Sequence, residues 1–202
     1  MVNGGVAVLG VLRLTKSSVN SARRHIDELL LPVGRQKTRW NQFLLIKVNV
    51  SIWRVAMDRL PTRQNLDSKG IDLPSILCPV CEDYVEDVRH VFFTCQLARE
   101  VWDQVGVWLN PSIPIFLGIQ EVLDWVDSRP VSRLDRSISN SMCMTVIWVL
   151  WTYRNTVVFK DREYRKQFIF YSIISFSFKW FSFRNSKTLN DWNAWMQNPI
   201  LL

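Results

Sequence analysis

Glycine and proline are scarce in this chain, seven and eight among 202 residues. A fold of many short strands needs a turn about every 8–12 residues, and turns draw on these two residue types. The shortage therefore disfavours an all-β sandwich or barrel and favours helices. Cysteine is scarcer still. Four residues are too few for the disulfide framework that holds small secreted domains together. No apolar run reaches the length of about 18 residues that a membrane-spanning helix needs. The longest are Met142–Trp151, interrupted by Thr145, and Phe168–Phe183, which carries four serines and Lys179. Both are expected as buried helices, with no membrane partner. Catalytic signatures are missing too: there is no Asp-Asp pair, no Gly-rich phosphate loop of the Walker type and no His-Glu-x-x-His. Histidine is limited to His25 and His90, which leaves little for nucleophilic or acid–base schemes. The expectation is a chain that is not an enzyme and has no small-molecule substrate.

What is present is enough to fold. Hydrophobic residues make up 48% and charged residues 21%, ordinary globular usage that argues against wholesale disorder. Ten Trp, eleven Phe and four Tyr must be largely buried. Trp53, Trp102, Trp108, Trp148 and Trp151 lie at helical core spacing and are expected to pack. Trp192 and Trp195 sit in a tail less clearly tied down, where stacking on a base is the competing role. The formal charge of +7 is carried by the two ends. Residues 1–40 are net +5 and residues 152–187 net +6, whereas residues 41–151 are net −3. Such a balance admits an anionic partner without requiring one.

Periodicity and breakers predict a mostly α chain. Ser17 or Ser18 can cap a helix that runs to about Leu30 and stops at Pro32. A second helix is expected over Lys47–Arg59, ended by Leu60-Pro61. Thr62 caps a short third, Arg63–Lys69, which Gly70 closes. After the cysteine segment, helices are expected over Gln96–Leu109, Ile119–Val126, Arg133–Phe159 and Arg162–Phe183. The N-terminal apolar run has no basic residue ahead of it, which argues against a secretory signal.

Three of the four cysteines crowd into residues 78–95 as Cys78-x2-Cys81-x8-His90-x4-Cys95. A tight turn at the first pair can aim backbone N–H groups at a thiolate, and His90 and Cys95 can complete a tetrahedron. Three thiolates and one imidazole make a closed structural zinc site with no position for a catalytic water. Two other readings compete. A redox Cys-x-x-Cys usually sits in a βαβ setting and needs neither His90 nor Cys95. Alternatively, the four could be unrelated buried residues. Cys143, between Met142 and Met144, is expected to be packing, and His25 a surface residue.

The same residues carry a resemblance. Lys47-Val-Asn-Val-Ser-Ile-Trp-Arg, Leu60-Pro-Thr62, Gly70, Cys78-Pro-Val-Cys81, His90-Val-Phe-Phe-Thr-Cys95 and Ala98-Arg-Glu-Val-Trp102 follow in order. Together they resemble the zinc-binding domain that follows the reverse transcriptase in plant LINE-type (non-LTR) retrotransposons. Weaker likeness reaches Ser18-Val-Asn-Ser-Ala-Arg23 upstream, and Trp148-x-x-Trp-x-x-Arg-Asn155 and Asp191-Trp192 downstream. Residues 1–17 do not look like the family. The expected division is thus a leader, residues 1–17, a zinc-binding helical domain, residues 18–110, and a helical C-terminal extension, residues 111–202. The resemblance implies Cys78, Cys81, His90 and Cys95 as zinc ligands. It also implies RNA or DNA as partner, in support of RNA-directed DNA synthesis by the parent polyprotein.

The loop between Cys81 and His90 holds Glu82, Asp83, Glu86 and Asp87 against one base, Arg89. Such a loop should repel phosphate, so a compact zinc knuckle that offers basic residues to bases is a poor analogue. Nucleic acid is expected at the basic ends instead. The candidates are Arg23, Arg24, Arg35, Lys37 and Arg39, and Arg154, Lys160, Arg162, Arg165 and Lys166. The competing functions are docking on the reverse transcriptase domain of the same element, or a retrotransposon fragment with no independent role.

Overall fold

A computed structural model of the chain describes residues 40–109, 113–159, 165–184 and 191–199. The helix expected over residues 17–30, with His25, lies outside them. Seven α-helices are described: α1 Ile46–Ala56, α2 Arg63–Asp67, α3 Gln96–Leu109, α4 Ile119–Ser128, α5 Arg133–Phe159, α6 Ile169–Arg184 and α7 Trp192–Gln197. There is no strand among the described residues, only one antiparallel bridge between Leu77 and Val85. The mostly α expectation holds.

Local chemistry accounts for the early boundaries. In α1 the apolar side chains Val48, Ile52 and Val55 point inward. Asp58 takes a left-handed φ of 51° and the Arg59 N–H returns to the Arg54 carbonyl, which closes the helix before the expected Arg59. Thr62 Oγ1 accepts the Asn65 N–H at the start of α2. Gly70, at φ 77°, lets the Ile71 N–H reach back to the Leu66 carbonyl, the left-handed exit expected of it. The helix expected from Arg162 is α-helical only from Ile169, after a 3₁₀ turn over Lys166–Phe168. Residues 160–164 lie outside the described residues.

The 27-residue α5 is the centre of the packing. From Ile138 to Trp151 every residue but Trp148 is buried, because α1, α3, α4, α6 and the turn at residues 90–94 all lie against it. Helices from both sides of residue 110 therefore share one hydrophobic core. Cys143 is buried in it, as expected of a packing residue. Trp102, Trp108 and Trp151 are buried too, whereas Trp53 and Trp148 are half-covered, with Arg59 and Lys47 beside their rings. The tail is tied down more firmly than its sequence suggests. Trp195 is 0% exposed against Phe178 and Phe181, and the Trp108 indole N–H donates to the Met196 carbonyl at 2.9 Å. Base stacking by Trp195 is thereby excluded: its ring belongs to the core.

Candidate metal centre

Cys78, Cys81, His90 and Cys95 converge, with one potential ligand atom from each and all of these within 4.8 Å of one another. Two local devices bring them together. The first is a clamped turn. Cys78 N–H donates to Tyr84 O at 2.7 Å and Glu86 N–H to Ile76 O at 2.9 Å, on either side of the Leu77–Val85 bridge. Inside the clamp, Glu82 N–H closes on the Cys78 carbonyl and Glu82 adopts φ 61°. The Val80 N–H then lies 3.4 Å from Cys78 Sγ, with the Cys81 N–H also directed at it. This is the thiolate-directed turn that the Cys-Pro-Val-Cys string predicts.

The second device is a π-helical turn over His90–Thr94, in which the Cys95 N–H bonds to the His90 carbonyl at 2.9 Å. On an α-helix, residues five apart point roughly 140° away from each other. The wider turn brings His90 and Cys95 back to the same side, which suits the x4 spacing. Phe92 and Phe93 anchor the turn in the core, and the Trp102 indole donates to the Phe92 carbonyl at 2.8 Å. Asp87 Oδ1 accepts the His90 N–H at 2.5 Å and fixes the entry.

The electrostatics suit a metal. His90 presents Nε2 to Cys81 Sγ at 3.2 Å, while Nδ1 faces Thr94 Oγ1 at 3.4 Å. With Nε2 on the metal, the Nδ1 proton is directed at the threonine, the outer contact that orients ligating histidines. Burial holds the His90 pKa down, against the pull of Asp87 and Glu86, which favours the neutral imidazole that a metal needs. Without metal, the hydrogen bond between Cys78 and Cys95 is the largest influence on both. It pushes Cys78 up, with burial adding to it, and holds Cys95 down. That polarised thiol pair is what a cation would separate and bind as two thiolates. A tetrahedral ion with 2.3 Å bonds to sulfur sets its sulfurs about 3.8 Å apart, within the span of the cluster. The donor set, three sulfurs and one nitrogen, fits zinc, and zinc is the cofactor this chain takes.

Sequence reasoning missed the groups that fasten this centre to the fold. Glu86, counted above among the acids expected to repel phosphate, is 0% exposed. Its carboxylate forms a two-pronged ion pair with Arg154 of α5, Oε2 lying 2.7 Å from Nη2 and Oε1 paired with Nε. Oε2 also accepts the Arg63 N–H at the start of α2, at 2.9 Å. Arg154 is 5% exposed, lies over the Trp151 ring and lines a small space with Cys78 and Cys95. The structure therefore corrects its assignment to nucleic acid: a guanidinium buried on a carboxylate cannot meet phosphate. Of the other candidates, Arg165 and Lys166 are exposed, and Lys166 lies 2.6 Å from Glu100. Arg23, Arg24, Arg35, Lys37, Arg39, Lys160 and Arg162 lie outside the described residues. The signal for Glu86 and Arg154 is long-range, 68 residues apart in sequence, and no local pattern reveals it.

Comparison with known proteins agrees with the site. A family model described as zinc-binding in reverse transcriptase matches residues 17–102, a span that contains the whole Cys3His cluster. No curated protein and no solved structure matches the chain.

Proposed function

We propose that this zinc-binding module of reverse-transcriptase type is a non-catalytic part of a retrotransposon polyprotein, of plant LINE-type origin, and that it binds RNA or DNA in support of RNA-directed DNA synthesis. The observation that carries the proposal is the closed four-donor site inside the span matched by the reverse-transcriptase family. A closed site supplies folding free energy and no open coordination position for a reacting group. Zinc is the staple, with Cys78, Cys81, His90 and Cys95 as its ligands, and recognition falls to other surfaces. Glu82 and Asp83 keep the rim of the metal centre acidic and exposed, and three thiolates with one zinc add a further net negative charge. Phosphate is accordingly expected away from this rim.

A second reading is favoured by one feature. Val107 and Ile115 stand almost fully exposed beside a groove lined by Phe93, Trp102 and Phe116, an apolar surface suited to docking on the polymerase domain. An anisotropy titration of labelled single-stranded RNA, over several salt concentrations and with or without a zinc chelator, separates the two. Binding with a steep salt slope that chelation abolishes is the expected result. A folded, zinc-loaded chain indifferent to RNA and DNA would leave docking as the function.

A further inference from the structure

We infer that the solvent face of α6 is a stacking platform for single-stranded nucleic acid; this rests on the nucleic-acid reading above and gives it a place. Helix α6 buries Ile169, Ile173, Ile174, Ser177, Trp180 and Phe181. Stepping by 100° per residue, Lys179, Ser172, Phe183 and Phe176 follow one another along one flank of the opposite arc, while Tyr171 stands on the other flank, edge-on to Trp192. The rings are exposed to different degrees: Phe183 is 85% exposed, Tyr171 57%, Phe168 49% and Phe176 37%. Phe176 is held parallel to Trp180, ring centres 5.4 Å apart and planes 5° from parallel, so its free face is presented without loss of side-chain freedom on binding. Phe176 and Phe183 are separated by roughly 10 Å along the axis, and the residues between them on this arc are small or cationic.

Charge selects the occupant. From Arg165 to Arg184 there is no acidic residue, while Arg165, Lys166, Lys179 and Arg184 are basic. Among the described residues, two acids near the helix are engaged. Glu100 faces Lys166, and Asp191 accepts the N–H groups of Asn193 and Ala194. An apolar protein partner would use the rings but leave Lys179 uncompensated in the contact. A single strand offers a π-face for the rings and a phosphate for Lys179, the cation on the same flank, whereas Lys166 is paired with Glu100 and Arg184 donates to the Gln42 carbonyl. A duplex hides its base faces and gives the rings nothing to stack on. Discrimination should therefore favour single strands and be tolerant of sequence.

The test uses the full, zinc-loaded chain with labelled oligouridine, a mixed-sequence single-stranded DNA and a double-stranded RNA of equal length. Phe176→Ala with Phe183→Ala should weaken oligouridine binding by about tenfold or more, with the salt slope unchanged. Phe183→Tyr with Phe176→Tyr should retain it. Lys179→Gln should lower the salt slope by about 0.7, the loss of one phosphate contact to a single strand. Zinc content and far-ultraviolet circular dichroism confirm that each variant is folded, which the exposure of these side chains makes attainable. Wild-type binding that survives the double alanine change would overturn the platform and leave the nucleic-acid reading standing. A wild-type chain that binds none of the three probes at low salt would remove both. Preference for the duplex, or a double alanine change that alters only self-association or binding to anionic vesicles, would also overturn the platform.

Discussion

The Glu86–Arg154 pair shows how much depends on single side chains here. The carboxylate neutralises a buried guanidinium, accepts an N–H from the first turn of α2, and sits on the same loop that carries Cys78 and Cys81. Breaking a buried pair by removing one partner leaves an uncompensated charge and costs about 3–5 kcal/mol. Arg154→Met, close in length and apolar, should therefore destabilise the zinc-loaded protein by about that amount in urea denaturation. Adding Glu86→Gln should recover part of the loss, because the amide oxygen can still accept the Arg63 N–H while the stranded charge is gone. If the double variant were no more stable than Arg154→Met, charge compensation would not be what the pair provides. Neither residue's role was legible in the sequence. Glu86 is one of four acids in a loop that reads as repelling phosphate, and Arg154 lies in the most basic stretch of the chain. Only the fold brings the two together.

At the scale of elements, the sequence was most informative where the chemistry is local. Thr62 and Gly70 mark the two ends around α2 through a cap and a left-handed turn, and α3 and α5 begin and end where periodicity and breakers put them. The Cys-x2-Cys spacing likewise encodes its own turn. The π-turn over His90–Thr94 was not foreseen, since the four residues between His90 and Cys95 read equally as helix or turn. Its wide geometry is fixed by tertiary packing: Phe92 and Phe93 fill the core, and Trp102 supplies a donor to the Phe92 carbonyl. Trp102→Phe keeps most of the ring and deletes that donor, leaving a buried carbonyl unpaired. A loss of about 1–3 kcal/mol in stability is expected, together with weaker zinc retention against a competing chelator. A variant with the stability of wild type but weakened zinc retention would place the hydrogen bond in ligand alignment alone. The tail illustrates the opposite failure. Nothing near Trp195 announces burial, because its partners, Phe178 and Phe181, belong to another helix.

For the whole molecule, the question is how far the influence of one metal ion extends. The cluster stands on a loop with little regular structure of its own, yet the loop is bonded to α2 through Arg63 and to α5 through Arg154, and His90 and Cys95 stand at the two ends of a turn packed on α5. Helix α5 in turn is the surface on which α1, α3, α4 and α6 pack. Zinc bound only by the folded state adds its binding free energy to stability. With a shared core, that contribution should be felt beyond residues 78–95. Metal analysis of protein purified without added zinc should give about one ion per chain, since one Cys3His set binds one zinc, and Cys78→Ser with His90→Ala should lose it. Chelation should then raise amide hydrogen exchange in the middle of α5, around Met142–Leu150, together with exchange in the zinc loop. A zinc loop that exchanges freely after chelation while α5 keeps full protection would show a local clip on an independently stable bundle. Loss of protection in both at once would mean that the metal and the helical core fold as one unit, joined through Glu86 and Arg154.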